Sequence, residues 1–469
     1  MINFFRNTLL LLLMLFAFTA SAQEEVEMVR SLKLQANWNN EDLSPGGSEI
    51  FNDIWGWVDS QGREFVIMGS YDSIYFFDIT DPEKPVLCDV EAGKAPGCIH
   101  RDFKTYLNYC YAVADENNSS LQIFDLSYLP DSVHKVYDSN QFSIQTHNIF
   151  VENSRLYLAD NATPTGYAPM AVLSLDDPVN PVLISRLKPP VVGGDPLFSE
   201  VHDVFVENDT AYCSVGDDGF MIYDYRDPVN PKLITDLQIY PDQGYNHSSW
   251  RAANSKLLIM ADETHHTRLK LFDASDPTDL KLKSLLGYNW NEGSIPHNPF
   301  IRDEYLYISY YHEGVVVFDI SNPEEPEFID AYDTYPQNTG YGGMLGCWGI
   351  YPFFPSGIIA ASDLENGLFL LKLDTLYYTP SKEEFPDAIL SPNPFIDHFS
   401  LVFELSVDQQ MQMSMHTLLG QELFSLERRF PSGENRWKVG TRQFLYPGMY
   451  ILTLSGEEFT KSFRILKAD

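Results

Sequence analysis

Basic residues, cysteines and long apolar runs are what this 469-residue chain has little of. Lys and Arg number 31 against 66 Asp and Glu, a formal net charge of −35. Such a surface repels phosphate and excludes nucleic acid as a partner, while it suits a soluble protein that meets cations. The five cysteines (Cys88, Cys98, Cys110, Cys213 and Cys347) are odd in number and show no paired spacing. A disulfide framework is therefore not expected, and a chain of this length has no need of one. Cys110 and Cys213 read as small buried hydrophobes within strands. Cys98 and Cys347 occupy related loop positions, where a bridge is conceivable. Beyond residue 22 no apolar run approaches the roughly 18 residues that span a bilayer, so no transmembrane segment is expected. Also missing are H-E-x-x-H, G-x-S-x-G, a Walker loop and a G-x-G-x-x-G following a strand. No specific catalytic motif stands out.

What is present begins with a targeting pattern. Arg6 gives a positive start, Leu9 to Ala20 an apolar core, and Ala20-Ser21-Ala22 a small-x-small cleavage site before Gln23, the layout of a secretory signal peptide over 1–22. No cysteine follows it, which argues against a lipid-modified N-terminus. The expectation is an exported, soluble protein.

The dominant feature is repetition. IYFFDITDPEKPVL from Ile74 recurs as FMIYDYRDPVNPKL from Phe220, LKLFDASDPTDLKL from Leu269 and VVVFDISNPEEPEF from Val315. Degenerate copies follow Leu121 and Met170, and a truncated one ends at Asp374. Repeats of roughly 40 to 50 residues, each with several short strands, mark propeller blades. The repeat from His202 shows four strands, with Asn208-Asp209 and Asp217-Asp218-Gly219 as turns whose residues tolerate positive φ. The Asp of each FD (Asp78, Asp125, Asp224, Asp273, Asp319) is expected to cap the following Pro turn. The first strands start at Trp55, His100, His147, His202, His247, His297 and Trp348. The last repeat lacks a fourth strand, and an orphan strand from Ser31 precedes the first. The fold expected is all-β: a seven-bladed β-propeller over 23–376, closed by its N-terminal strand so that no sheet edge stays open. A polar linker over 377–389 and a small β-sandwich over 390–469 follow.

Both domains resemble known families. The hxhFDhxxPxxP repeats resemble the LVIVD repeat, and their arrangement looks like the choice-of-anchor B surface proteins, a family defined by architecture rather than by a reaction. The last 80 residues or so, with LSPNPF at Leu390, Leu445-Tyr446-Pro447-Gly448-Met449-Tyr450 and a basic ending, resemble the C-terminal sorting domain of the type IX secretion system of Bacteroidota. That resemblance implies export across the outer membrane through the type IX machinery, then release or attachment to surface polysaccharide.

The histidines fall in phase. His100, His147, His202, His247 and His297 each begin a first strand, while His265, His266 and His312 sit in the turn between second and third strands. Strand direction places both phases on one face, together with Asp115, Asp217, Asp262 and Asp363 from the same turns. The expectation is a polar arc of five imidazoles completed by an aromatic arc of Trp348 and Trp55, with long loops over it. Three readings stand side by side. The histidines pack within and between blades, as the repeated His of WD-type propellers does. Alternatively they bind a ligand such as a glycan or protein together with Trp55 and Trp348, without turnover. Or they hold a divalent metal, with Asp217 and Asp262 as partners, in an extracellular hydrolase or lyase; such a metal needs three or four donors converging on one point.

Overall fold

The computed structural model describes residues 27–40, 43, 49–252, 256–338, 340–378, 388–393, 395–405, 407–417, 422–440, 448–456 and 460–468. The expected signal segment, most of the expected linker and Leu445-Tyr446-Pro447 of the tail's motif lie outside them. Every regular element among the described residues is a strand. The chain divides into two compact units, one running Arg30–Thr375 and the other containing Leu376–Asp469.

In the first unit seven antiparallel sheets of four strands follow one another. Six are built from consecutive strands, as in Asp203–Glu207, Thr210–Ser214, Phe220–Asp224 and Lys232–Leu237. Asn208 and Asp209 turn between the first two of these with φ of 52° and 58°, a conformation their short polar side chains tolerate. Gly219 turns into the third at φ 94°, where a Cβ would stand 2.4 Å from the Leu237 carbonyl oxygen. The middle strands are apolar on both faces because both faces are covered; Glu64–Ser70 is buried along its whole length. Adjacent sheets share apolar clusters, such as Tyr157, Met170 and Val172 with Val204, Cys213 and Met221. Another joins Phe51, Val66 and Met68 of the first sheet to Ile358, Ala360 and Leu370 of the last. Repeated sheets packed around an axis, with first and last in contact, make a β-propeller.

The recurrent FD…P has two jobs. Each of Asp78, Asp125, Asp224, Asp273 and Asp319 accepts the backbone N–H two residues on, at 2.9 Å in every case. The turn's Pro carbonyl then receives a hydroxyl from the preceding sheet. Ser185 donates to Pro228 at 2.5 Å, Thr235 to Pro277 at 2.6 Å and Ser284 to Pro323 at 2.8 Å. At about 0.5–1.5 kcal/mol net per bond, these staples set register between sheets while the apolar clusters supply the bulk of the stability.

The seventh sheet is completed from the other end of the unit. Cys347–Tyr351, Ile358–Asp363 and Gly367–Tyr378 are joined by Glu27–Trp38 as the outermost strand. That strand also reaches the sixth sheet, where Leu32 N–H donates to Asp330 Oδ2 at 2.8 Å and Arg30 pairs with Asp319 at 2.9 Å. All five cysteines are free thiols. The bridge entertained between Cys98 and Cys347 is not made. Both are fully buried in separate packing environments, Cys98 against Ala95 and Ala114 and Cys347 among the apolar side chains of the sixth and seventh sheets. Cys110 and Cys213 are buried in strands as small hydrophobes.

The second unit has two antiparallel sheets, Ile389–Ser391 with His398–Leu405 and Gly433–Gly440, and Glu422–Phe430 with Gln409–Thr417, Gly448–Ser455 and Thr460–Lys467. Phe399, Leu401 and Phe403 from one share a core with Met411, Met413 and Leu452 from the other.

Candidate functional site

Strand alternation organises the axis of the propeller. Residues two apart on a strand face the same way, so the first strands present stacked pairs: Asp53 and Trp55, Asp102 and Lys104, Asn148 and Phe150, Asp203 and Phe205, Ser248 and Trp250, Asn298 and Phe300. These line two small adjoining cavities along the axis, each of about 30 Å3. In the seventh sheet the equivalent of Asp53 is Gly349, where a Cβ would meet Asp53 Oδ1 at 2.3 Å; the Asp53 carboxylate fills that gap.

The residue just before each pair forms a third tier. His147, His202, His247, His297 and Trp348 stand there, and His100 joins them because Arg101, which holds that position in the second sheet, turns aside to the carbonyls of Ser70, Tyr71 and Ala95. The six rings close on themselves. Centroid separations are 5.5 Å for His100–His147, 4.0 Å for His147–His202, 4.5 Å for His202–His247 and 4.3 Å for His247–His297. His297–Trp348 at 4.9 Å and Trp348–His100 at 5.1 Å complete the circle.

Outer partners decide which nitrogen faces the axis. His147 Nδ1 donates to Asp115 Oδ2 at 2.6 Å. His297 Nδ1 donates to the Trp348 carbonyl at 2.5 Å. The Tyr245 hydroxyl donates to Glu200 Oε1 at 2.6 Å, so its oxygen is left to accept from His202 Nδ1 at 2.9 Å. Each of these rings therefore commits Nδ1 outward and presents Nε2. His202 Nε2 and His247 Nδ1 are buried without a hydrogen-bond partner, a state that costs about 1–3 kcal/mol per group unless something binds there. One nitrogen from each of His147, His202 and His247 lies within 4.8 Å of the others, and the same holds for donors of His247, Glu263 and His297. A histidine whose second nitrogen is pinned by a carboxylate or carbonyl is the usual state of a metal ligand.

Charge divides the ring. Burial opposes the His100 imidazolium, but hydrogen bonds to Asp115 and Glu116 outweigh it and raise its pKa to about 10. Burial likewise disfavours the Asp115 carboxylate, yet the contacts from His100 and His147 hold it well below the usual range. Burial, and then the neighbouring imidazoles, push His202 and His247 well below 6.5. Burial takes His297 down to about 3. Beneath the ring burial pushes Asp203 up to about 7, and burial with the Asp102 charge lifts Asp53 well above its ordinary value. Asp102 pairs with Lys104 at 2.7 Å and accepts Ile149 N–H at 2.6 Å, stitching the second inner strand to the third.

The sequence placed five imidazoles and Trp348 together, and the structure brings all six side chains into one ring. Trp55 stands elsewhere. It lies two tiers below with Tyr351 at 5.1 Å, Phe300 at 6.3 Å and the Lys104 ammonium at 4.2 Å, because the first strand begins at Phe51, four residues before the expected start. Asp262 points away from the ring, buried against Lys270 at 2.9 Å and Tyr240 at 3.1 Å. Asp217 is exposed in its turn. Neither meets the imidazoles; Asp115, Glu116 and Glu263 do. Glu116 and Glu263 each directly follow the turn Asp, and that shared offset was the available signal. Tyr245 and Tyr311, in contrast, had no sequence pattern to mark them.

The LVIVD repeat family matches residues 300–334. No curated protein matches the chain. Among solved structures, the WD40 repeats of RRP9 are 10% identical, covering 75% of this chain and all of that one (100%) with a TM-score of 0.49. A periplasmic gluconolactonase of Pseudomonas aeruginosa is 10% identical over 83% of this chain and 99% of its own, TM-score 0.48. A putative 6-phosphogluconolactonase from Bacteroides uniformis is 12% identical over 83% and 100%, TM-score 0.48. Likeness at this level says nothing of activity. The chain is a β-propeller carrying an LVIVD repeat.

Proposed function

We propose that the protein is a secreted or cell-surface seven-bladed β-propeller whose axial histidine ring holds a divalent transition metal and presents it to a ligand entering from that face. The single observation carrying this reading is the inward presentation of Nε2 by His147, His202 and His297, each with Nδ1 tied to an outer acceptor. Imidazole donors favour zinc, copper or nickel over calcium and magnesium, which prefer oxygen. The tail over 390–469, a sandwich by its two sheets around one core, acts as the type IX sorting domain. The architecture is then that of a choice-of-anchor B surface protein from a Bacteroidota, meeting a surface polysaccharide or protein ligand. Support for these last points is the tail's motif pattern together with the signal-like N-terminus.

Metal analysis of protein purified without an affinity tag tests the centre. The expected result is retained zinc or copper and a melting temperature that rises on adding either, since binding to the folded state alone stabilises it. Less than ~0.1 equivalent of metal and no shift on addition would overturn the reading. A second reading, a metal-dependent hydrolase or lyase, draws on one observation: Asp203, with its carboxyl pushed up to about 7, faces the cavity under the ring, where a group titrating near neutrality can serve as acid or base. Turnover of chromogenic esters or glycosides, lost in Asp203→Asn with metal content unchanged, would decide for it.

A further inference from the structure

We propose that the ring is a two-metal centre in which His147, His202 and His247 hold one ion, His247, His297 and Glu263 hold a second, and His247 serves both. The inference rests on the metal reading above and adds a second ion to it.

Buried acceptors face one another at this part of the ring. His297 donates its Nδ1 proton to the Trp348 carbonyl, so in the neutral ring Nε2 carries only a lone pair. That lone pair stands 3.7 Å from Glu263 Oε1, and His247 Nε2 stands 3.8 Å from Glu263 Oε2. All three residues are at least largely buried, His247 at 4% and His297 at 2% exposure, and neither separation is a hydrogen bond. Glu263 is fixed from behind by the Tyr311 hydroxyl. Buried acceptors converging on a gap call for a cation. Two ligands about 2.1 Å from a tetrahedral ion stand roughly 3.4 Å apart, so the gap needs little contraction to close on one.

His247 is what links the two groups. Its Nε2 faces Glu263, while its Nδ1 is buried with no partner, and it belongs to both donor sets. Were one ion to sit on each of these nitrogens, the ring's one N–H proton would leave to solvent, a loss that two dipositive charges would favour. Asp115, Tyr245–Glu200, Trp348 and Tyr311 then act as positioning groups, each aiming one ligand.

The test is metal counting on the tag-free chain, stripped, reloaded with Zn2+ and freed of loose ions by gel filtration. The parent should retain two equivalents. Glu263→Gln, which keeps the shape and a hydrogen bond to Tyr311, should retain one, as should His202→Ala. Copper supplies an independent readout: two bridged Cu2+ ions couple magnetically, so the spin-resonance intensity of the parent should fall well below its copper content and recover in Glu263→Gln. One equivalent in the parent, or two in Glu263→Gln, overturns the two-metal centre. One equivalent in the parent leaves the single-metal reading standing, whereas none removes both.

Discussion

Two arcs of one ring, built from the same residue type, have opposite chemistry. His100 and His147 face Asp115 and Glu116 and are held toward the charged form. His202, His247 and His297 face a tyrosine, a largely buried glutamate and a backbone carbonyl, and are held neutral. Duplication supplies identical side chains, and the turn next door decides what each becomes. A bare imidazole is a ligand; the His100 imidazolium, paired with two carboxylates, is a stabilising contact at the rim, where it keeps 34% of its side chain in solvent, whereas His147 must shed its second proton before it can serve an ion.

Removing one ring from each arc gives the largest contrast. His202→Ala should weaken zinc binding at its site by more than the ~10–100-fold that loss of an outer partner costs, while His100→Ala should leave it within a few fold; calorimetry on stripped protein measures both. Next is Tyr245→Phe, which removes the oxygen that accepts from His202 Nδ1. Affinity should drop roughly 10–100-fold, with a fall in melting temperature from the unpaired His202 Nδ1 and Glu200.

The charged arc should show itself through pH. His100 titrates at about 10 in the folded chain against an ordinary 6.5. Its contribution to stability is therefore complete below 6.5 and lost as pH rises toward 10. Exposure screens it, so the expected fall in melting temperature of stripped protein across that window is small, about 2–4 °C. Asp115→Asn can still accept from His147 but carries no charge, and should flatten part of the slope, the remainder resting on Glu116. Smallest of all is Asp217→Asn. This carboxylate is exposed in its turn and outside the ring, so zinc affinity and melting temperature should both match the parent; a loss of affinity would mean that the ring recruits it.

The fold was legible because its signals are local. The FD…P turn needs only an Asp two residues before an N–H and a Pro carbonyl free to accept, so it survives in sequence almost unchanged. The ring was legible in phase, since the histidines mark one position, to within a residue, in every repeat from the second to the sixth. Direction was not legible. Asp262 and Glu263 are neighbours, yet one pairs with Lys270 in the sheet and the other enters the ring; alternation along a strand end sends them apart. Trp55 was assigned to the ring because the first inner strand begins at Phe51, four residues before the tryptophan expected to start it. Tyr245 arrives from a loop, and its place depends on how the fifth sheet leans on the fourth.

The outermost strand of the last sheet has a consequence for assembly. Glu27–Trp38 pairs with Gly367–Tyr378, so the first strand made waits for the last. Contacts between such distant stretches are slow to form, because a long loop must close before they repay its entropy. The six rings around the axis are contributed by six different sheets, and the link from His297 through Trp348 back to His100 exists only once the circle is shut. A metal ion therefore meets the complete ring only on the finished chain. Ion uptake should trail folding as its final step, reporting on the finished ring rather than guiding its construction.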